Sequence, residues 1–193
     1  MARSFSEQEK KNIRKNIVEA CRHSWTQYGY KKTSVDELCR QTGISKGAFY
    51  LFFASKESLF CEVLCSEQEQ IYAAASKIME EKKGKEGVAE ALKLIYRAYD
   101  KNNFLYNANS ADYTVLMNKL SNEQVAEIEK SNNMSRELFL NHPYLKLKVE
   151  EDIAISVIYS LIMMIKNKEI IPNKHTEIFE FMVDHLIDDL YVE

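Results

Sequence analysis

The 193-residue sequence predicts an all-α protein, and three observations carry that expectation. There are only 5 Gly and 2 Pro, too few turn formers for a sandwich or barrel with many tight turns. Apolar residues recur at three- and four-residue spacing through most of the chain, the period of one helix face. Serine followed three residues later by Glu or Gln marks several helix starts, because the two side chains satisfy backbone N–H groups that the first turn leaves unpaired. With 46% hydrophobic and 28% charged residues the chain has the balance of a globular protein with a substantial core, unlike collagen-like or disordered sequences.

The first helix is expected from Glu7, behind the pair Ser6 and Glu9. Ile13, Ile17, Ala20, Ser24, Trp25 and Tyr28 form its inward stripe, Lys10, Lys11, Arg14, Lys15 and Arg22 lie elsewhere around it, and Gly29 ends it. Ser34 and Glu37 open a short second helix with Val35 and Leu38 inward. Gly43 supplies a turn, and Ser45 caps a third helix over about Lys46 to Phe52, whose Phe49 joins Leu38 and Phe53 in the core. Two short helices separated by about four residues around a glycine have the spacing of a helix-turn-helix. Ser55 caps a fourth helix that meets no breaker from Lys56 to about Glu81. After a turn at Lys82 to Gly87, helices are expected at about 86–101, 109–119, 122–140, 148–167 and 174–191, the third of these capped by Ser121 with Gln124. That makes about nine helices.

Charge divides the chain. Residues 1–60 hold 11 Lys and Arg against 6 Asp and Glu, and the remainder holds 15 against 23, so a basic N-terminal unit precedes an acidic one. That asymmetry fits a nucleic-acid contact carried by one small unit. The longest apolar run, Ile153 to Ile165, would rise only about 20 Å as a helix against a hydrocarbon core of about 30 Å, so no membrane span is expected. The first twelve residues are polar and charged, unlike a signal peptide, which points to the cytoplasm, and Cys21, Cys39, Cys61 and Cys65 are expected as free thiols. No P-loop, GxGxxG, HExxH, EF-hand or GxSxG motif occurs, and the four histidines lack metal-ligand spacing. No catalytic residue, cofactor or metal is therefore assigned. Cys61 and Cys65 share a face of the fourth helix, as a thiol sensor or as small packing residues.

One stretch carries a resemblance: Ile17-Val-Glu-Ala20 with Trp25, Tyr28-Gly29-Tyr30, Thr33-Ser34-Val35, Gly43-Ile44-Ser45-Lys46-Gly47, Tyr50, Phe53 and Ser55-Lys56-Glu57-Ser58-Leu59. It resembles the TetR family of bacterial one-component transcriptional regulators over about residues 13–64. The resemblance implies a helix-turn-helix DNA-binding domain at 1–55, a helical effector-binding and dimerisation domain at 56–193, and a homodimer that acts as a repressor on a palindromic double-stranded operator. In that frame the third helix is the recognition helix. Lys46 is its candidate for guanine or phosphate, and Gly47 allows close approach. Tyr50, Thr33, Ser34, Ser45 and Lys56 are candidates for phosphate. Ala48 and Phe52 depart from the family's hydrogen-bonding residues and would meet thymine methyls instead.

The same resemblance places an effector cavity among Tyr96, Tyr99, Phe104, Tyr106, Tyr113, Met117, Tyr159, Met163 and Met164, whose aromatic and thioether walls suit a lipophilic, neutral or cationic small molecule. It places the dimer interface on the last two helices, through Ile153, Val157, Leu161 and Ile165 and through Phe179, Met182, Leu186 and Leu190. Each of these side chains also fits a plain core position. A helical enzyme or metal-binding bundle, and an interaction adaptor that has lost DNA binding, are the alternatives from other functional classes.

Overall fold

Hydrogen-bonding side chains decide where the helices begin. In the computed structural model, which describes residues 6–105, 110–141, 145–171 and 174–192, Ser6 and Glu9 cap each other's backbone reciprocally and start α1 (Glu7–Lys32). Ser34 caps α2 (Val35–Thr42) and Ser45 caps α3 (Lys46–Phe49). The Glu37 carboxylate does not complete the second box, because Arg40 and Gln41 take it. Ser55 and Ser58 exchange hydrogen bonds ahead of α4 (Lys56–Lys82). There follow α5 (Gly84–Lys101), α6 (Ala111–Met117) behind Ser110, and α7 (Asn122–Asn132) behind the reciprocal pair Ser121 and Gln124. The chain continues through α8 (Met134–Leu140), α9 (Glu151–Met163) and α10 (His175–Leu190).

Several expectations are corrected in detail. The helix expected at 122–140 is two, interrupted at Asn133, whose N–H is shared between the carbonyls of Glu129 and Lys130. The turn at Lys82 to Gly87 shrinks to Lys83 and Gly84, both at positive φ, so Gly87 lies inside α5. There a Cβ would sit 3.1 Å from the Met79 Cα, which explains a glycine at a helical position. Tyr28, expected inward, is exposed. Two-residue strands, β1 (Lys146–Leu147) and β2 (Tyr191–Val192), pair antiparallel, a clip too short to leave a period-two signal in the sequence.

The chain divides into two compact units, residues 1–66 with 108–128, and residues 67–107 with 129–193. About three turns of α4, to Ser66, together with α6 and most of α7, to Ile128, fold with α1 to α3. In the first unit Ile17, Cys21, Trp25, Leu38, Phe49, Phe53, Leu59 and Phe60 are buried, so Phe49, Leu38 and Phe53 take the core positions expected of them. Trp25 and Phe60 meet at 4.6 Å between ring centroids. In the second unit Phe179 stacks on Tyr96 at 3.8 Å, and Leu92, Ile95, Ile158, Val183 and Tyr191 are buried in the same unit. The Tyr191 hydroxyl donates to the Phe139 carbonyl at 3.0 Å, tying α8 to β2.

Because Phe179 is wholly buried against Tyr96, Phe179→Ala should destabilise the second unit by about 3–5 kcal/mol, the cost of lost transfer energy plus a cavity. Urea unfolding followed by circular dichroism measures this, and a loss below about 1 kcal/mol would mean that the site collapses onto the gap.

Candidate nucleic-acid interface

The edge of the first unit is built by α3 and the turn that follows it. Phe49 points inward with no exposed surface, which turns Lys46, Gly47, Tyr50 and Leu51 outward. From Leu51 the helix tightens, with Leu51 N–H bonding Ala48 and Phe52 N–H bonding Phe49. This i→i+3 winding cuts the expected helix at Phe49, half a turn or more short of Phe52. Leu51 is 76% exposed, more open than Tyr50 at 49%, and sequence reasoning missed it. Continuing the helical period from Lys46 would have placed it beside Tyr50 on the outer face. Ala48 and Phe52 are partly exposed on the same edge.

Arg14 holds this edge in place. Its Nη1 donates to the Phe52 carbonyl at 2.8 Å, its Nε donates to Glu62 at 3.0 Å, and its guanidinium lies 4.5 Å from the Phe53 ring centre. One side chain from α1 thus binds the turn after α3 to α4. Sequence periodicity registers Arg14 only as a charge off the apolar stripe. The Lys46 ammonium is 3.0 Å from Asp36 of α2, and that hydrogen bond holds its pKa above the ordinary lysine range. Both groups are solvent-exposed, so the pair is screened and readily exchanged for another anion.

Of the other residues expected at this surface, Ser34 and Ser45 are exposed, and each spends its hydroxyl as an acceptor for its own helix start. Thr33 is corrected: it is 2% exposed and donates its hydroxyl to the Gly29 carbonyl at 2.8 Å, closing α1. Lys56 is corrected too. Its ammonium donates to the Tyr30 carbonyl and stands 4.0 Å over the Tyr30 ring, a cation–π contact of about 0.5–2 kcal/mol. Burial pushes its pKa below the usual value, with Lys119 adding to the fall. It is committed to the end of α1 rather than standing free for phosphate.

Tyr30 is the hub of that contact. Its hydroxyl donates to Glu57 of α4, its ring meets Phe60 edge-on at 5.0 Å, and its N–H donates to Asp112 of α6. Lys119, just beyond α6, reaches Glu57 at 3.6 Å. Burial pushes the Glu57 carboxyl up, but the Tyr30 hydroxyl, its own backbone N–H and the Lys119 and Lys56 charges outweigh it and leave it below the usual range.

The residues expected to line an effector cavity are divided between the two units. Tyr113 and Met117 belong to the first unit; Tyr96, Tyr99 and Phe104 are closed core of the second. Tyr96 contacts His175 Nδ1 at 3.2 Å and Tyr99 contacts the Tyr72 hydroxyl at 3.3 Å, while Tyr159 is exposed, Met163 and Met164 are half-buried and Tyr106 lies outside the described residues. A groove of about 910 Å³ opens elsewhere in the second unit, lined by Tyr72, Ala73, Ser76 and Glu80 of α4, Lys130 and Asn133, and Met134, Glu137, Leu138 and Asn141. Of the expected dimer residues, Ile165, Phe179 and Leu190 are corrected to core positions of their own unit. Ile153, Val157, Leu161, Met182 and Leu186 instead line a groove of about 620 Å³ between α9 and α10, with exposed Tyr159 and Phe181 also on these two helices. The four cysteines are buried free thiols, and Cys61 Sγ donates to the Gln124 carbonyl at 3.7 Å. Among the described residues no helix is long and apolar enough to cross a membrane.

Helix-turn-helix geometry and sequence comparison agree. Residues 17–63 match the family described as bacterial regulatory proteins, tetR family. It is 37% identical over 67 residues to the uncharacterized HTH-type transcriptional regulator YhgD of Bacillus subtilis, across 35% of each chain. It is 33% identical over 64 residues to an HTH-type transcriptional repressor of Mycobacterium tuberculosis, across 33% of this chain and 34% of the relative. The chain thus matches about a third of the length of these relatives. In fold it is similar over nearly its whole length to the transcriptional regulator FadR from Bacillus subtilis in complex with stearoyl-CoA, with a TM-score of 0.68 at 15% identity, covering 91% of this chain and 98% of that one.

The depressed Glu57 pKa implies stability that is present above the ordinary glutamate range and lost as pH falls through the folded value. Urea midpoints measured between about pH 2.5 and 6 should therefore drop on acidification, and Glu57→Gln should flatten that slope while lowering stability at neutral pH.

Proposed function

We propose that this protein is a sequence-specific DNA-binding transcriptional regulator that acts as a homodimer on a partly palindromic duplex and is released from it, as a repressor, by a small lipophilic effector. The observation that carries the reading is the outward edge of α3, where Lys46, Gly47, Tyr50 and Leu51 stand free of the core while Arg14 fixes the turn behind them. A helix held this way enters a major groove with its N-terminal residues against base edges. Lys46 leaves Asp36 for a phosphate or a guanine, and Leu51 with Ala48 favours thymine methyls over hydrogen-bonded readout. Lys10, Lys11, Lys15 and Lys32 lie exposed on α1 of the same unit and add attraction for phosphate.

The α4–α7–α8 groove supports the effector part of this reading, since its volume is that of a small-molecule site and Tyr72, Met134 and Leu138 give it apolar walls. Glu80 and Glu137 face it against the single ammonium of Lys130, a balance that favours a neutral or cationic amphiphile over a polyphosphate. The apolar groove between α9 and α10 supports dimerisation, because a second copy would cover Ile153, Val157, Met182 and Leu186 together.

Selection of bound duplexes from a random pool tests the DNA reading. The expected product is a partly palindromic site with half-site centres about 34 Å or more apart, bound less tightly as salt rises. No enrichment, or salt-independent binding, would contradict it. Leu186→Glu should place an unpaired charge in the interface and convert a dimer into a monomer by light scattering. An unmodified protein that is already monomeric at micromolar concentration would remove the interface.

A further inference from the structure

The helix-turn-helix is held by a residue from outside it, and that residue lies 50 positions or more along the chain from α3. At Gly29 the backbone of α1 leaves the helical path, with φ +80 and ψ 173. The kink frees the N–H groups of Tyr30 and Lys31, which begin the last turn before α2, as the first residues of any helix are left without partners. The Asp112 carboxylate of α6 takes both: Oδ2 accepts from Tyr30, and Oδ1 accepts from Lys31 at 3.0 Å. Gly29 makes this possible twice over. It adopts a φ that side-chain-bearing residues rarely reach, and a Cβ there would lie 2.7 Å from Asp112 Oδ2. Ser110 caps α6 and thereby fixes Asp112 within its first turn.

We propose that Asp112 is a positioning residue for operator binding: a cap supplied by α6 that sets the exit of α1 and, two residues later, the start of α2. The proposal rests on the reading of the first unit as DNA-binding. α6 belongs to the stretch 108–128, the part of the later sequence that folds into the first unit. Asp112 is therefore a point at which that later sequence grips the backbone at the end of α1. Tyr30 connects it to α4, because the same residue gives its N–H to Asp112, its hydroxyl to Glu57 and its carbonyl to Lys56. A displacement of α6 that withdrew the carboxylate would leave two donors unpaired and free the α1–α2 junction, with no change at any residue that touches DNA.

The test uses the full-length protein on its selected operator, with spacers one base pair longer and one shorter between the half-sites. Asp112→Asn, which keeps one acceptor oxygen and the side-chain shape, should bind the native operator roughly fivefold or more weakly, within the range typical of coupling between sites. Its salt slope should stay unchanged, since no phosphate contact is lost. It should also discriminate less between the three spacers, because the reading heads are less firmly aimed. Faster amide exchange at Tyr30 and Lys31 in the variant should accompany this. Gly29→Ala breaks the same contact from the other side and should give the same pattern if Asp112→Asn folds poorly. Wild-type affinity and discrimination in both variants would overturn the proposal. So would an equal loss on all three spacers that follows the fall in melting temperature, which marks a residue needed only for stability. Failure of the unmodified protein to bind any duplex would overturn the DNA reading itself, a separate result.

Discussion

The presentation of the reading edge depends on how the end of α1 is held, and Tyr30 is where that happens. Its backbone N–H, carbonyl, ring and hydroxyl each have a partner, drawn from α4 and α6. A buried tyrosine with a carboxylate on its hydroxyl and an ammonium on its ring is costly to disturb, because removing one partner leaves the others desolvated. The arrangement fixes the direction in which the chain leaves α1. From there Thr33 closes the helix and Ser34 opens α2, so the turn and α3 follow with little freedom. Arg14 completes the frame from the other side of α1 by binding the Phe52 carbonyl.

Local signals carry most of this fold into the sequence. Ser6 with Glu9, Ser45, Ser55 and Ser121 with Gln124 cap the helices that their spacing predicts, because a cap is a contact over three residues and needs no tertiary partner. The inward faces of α2 and α3, with Leu38, Phe49 and Phe53, follow from periodicity for the same reason. What periodicity cannot supply is the partner of a charged residue. Lys56 reads as an exposed cation at a helix start, and only the folded chain brings the Tyr30 carbonyl beneath it. Asp112 reads as an ordinary first-turn acid of α6, although it sits 82 residues from the N–H it accepts.

The second unit shows the same limit in apolar form. Tyr96 and Tyr99 have the composition of a pocket wall, yet Tyr96 is buried in a stack with Phe179 and Tyr99 against the Tyr72 hydroxyl. Phe179 and Leu186 lie on one helix seven residues apart, and one faces inward while the other lines a groove. An apolar stripe identifies a helix face of about 100° without telling which edge of it the protomer itself consumes. The groove beside α4 mixes Ser76, Asn133 and Asn141 with the charges of Glu80, Lys130 and Glu137 and with apolar neighbours, a mixture that no single-residue criterion would select.

The central claim is that α3 and the turn after it form a reading edge already built in the free protein, held from behind by Arg14 and Tyr30. A structure of the protein on its selected duplex tests this most directly. The predicted result is a first unit that superposes on the free one, with the Arg14–Phe52 and Tyr30–Glu57 contacts intact and with Leu51 and Tyr50 against the major groove and its phosphates. A duplex seated on another surface, or an α3 that reaches the groove only after those contacts break, would contradict it.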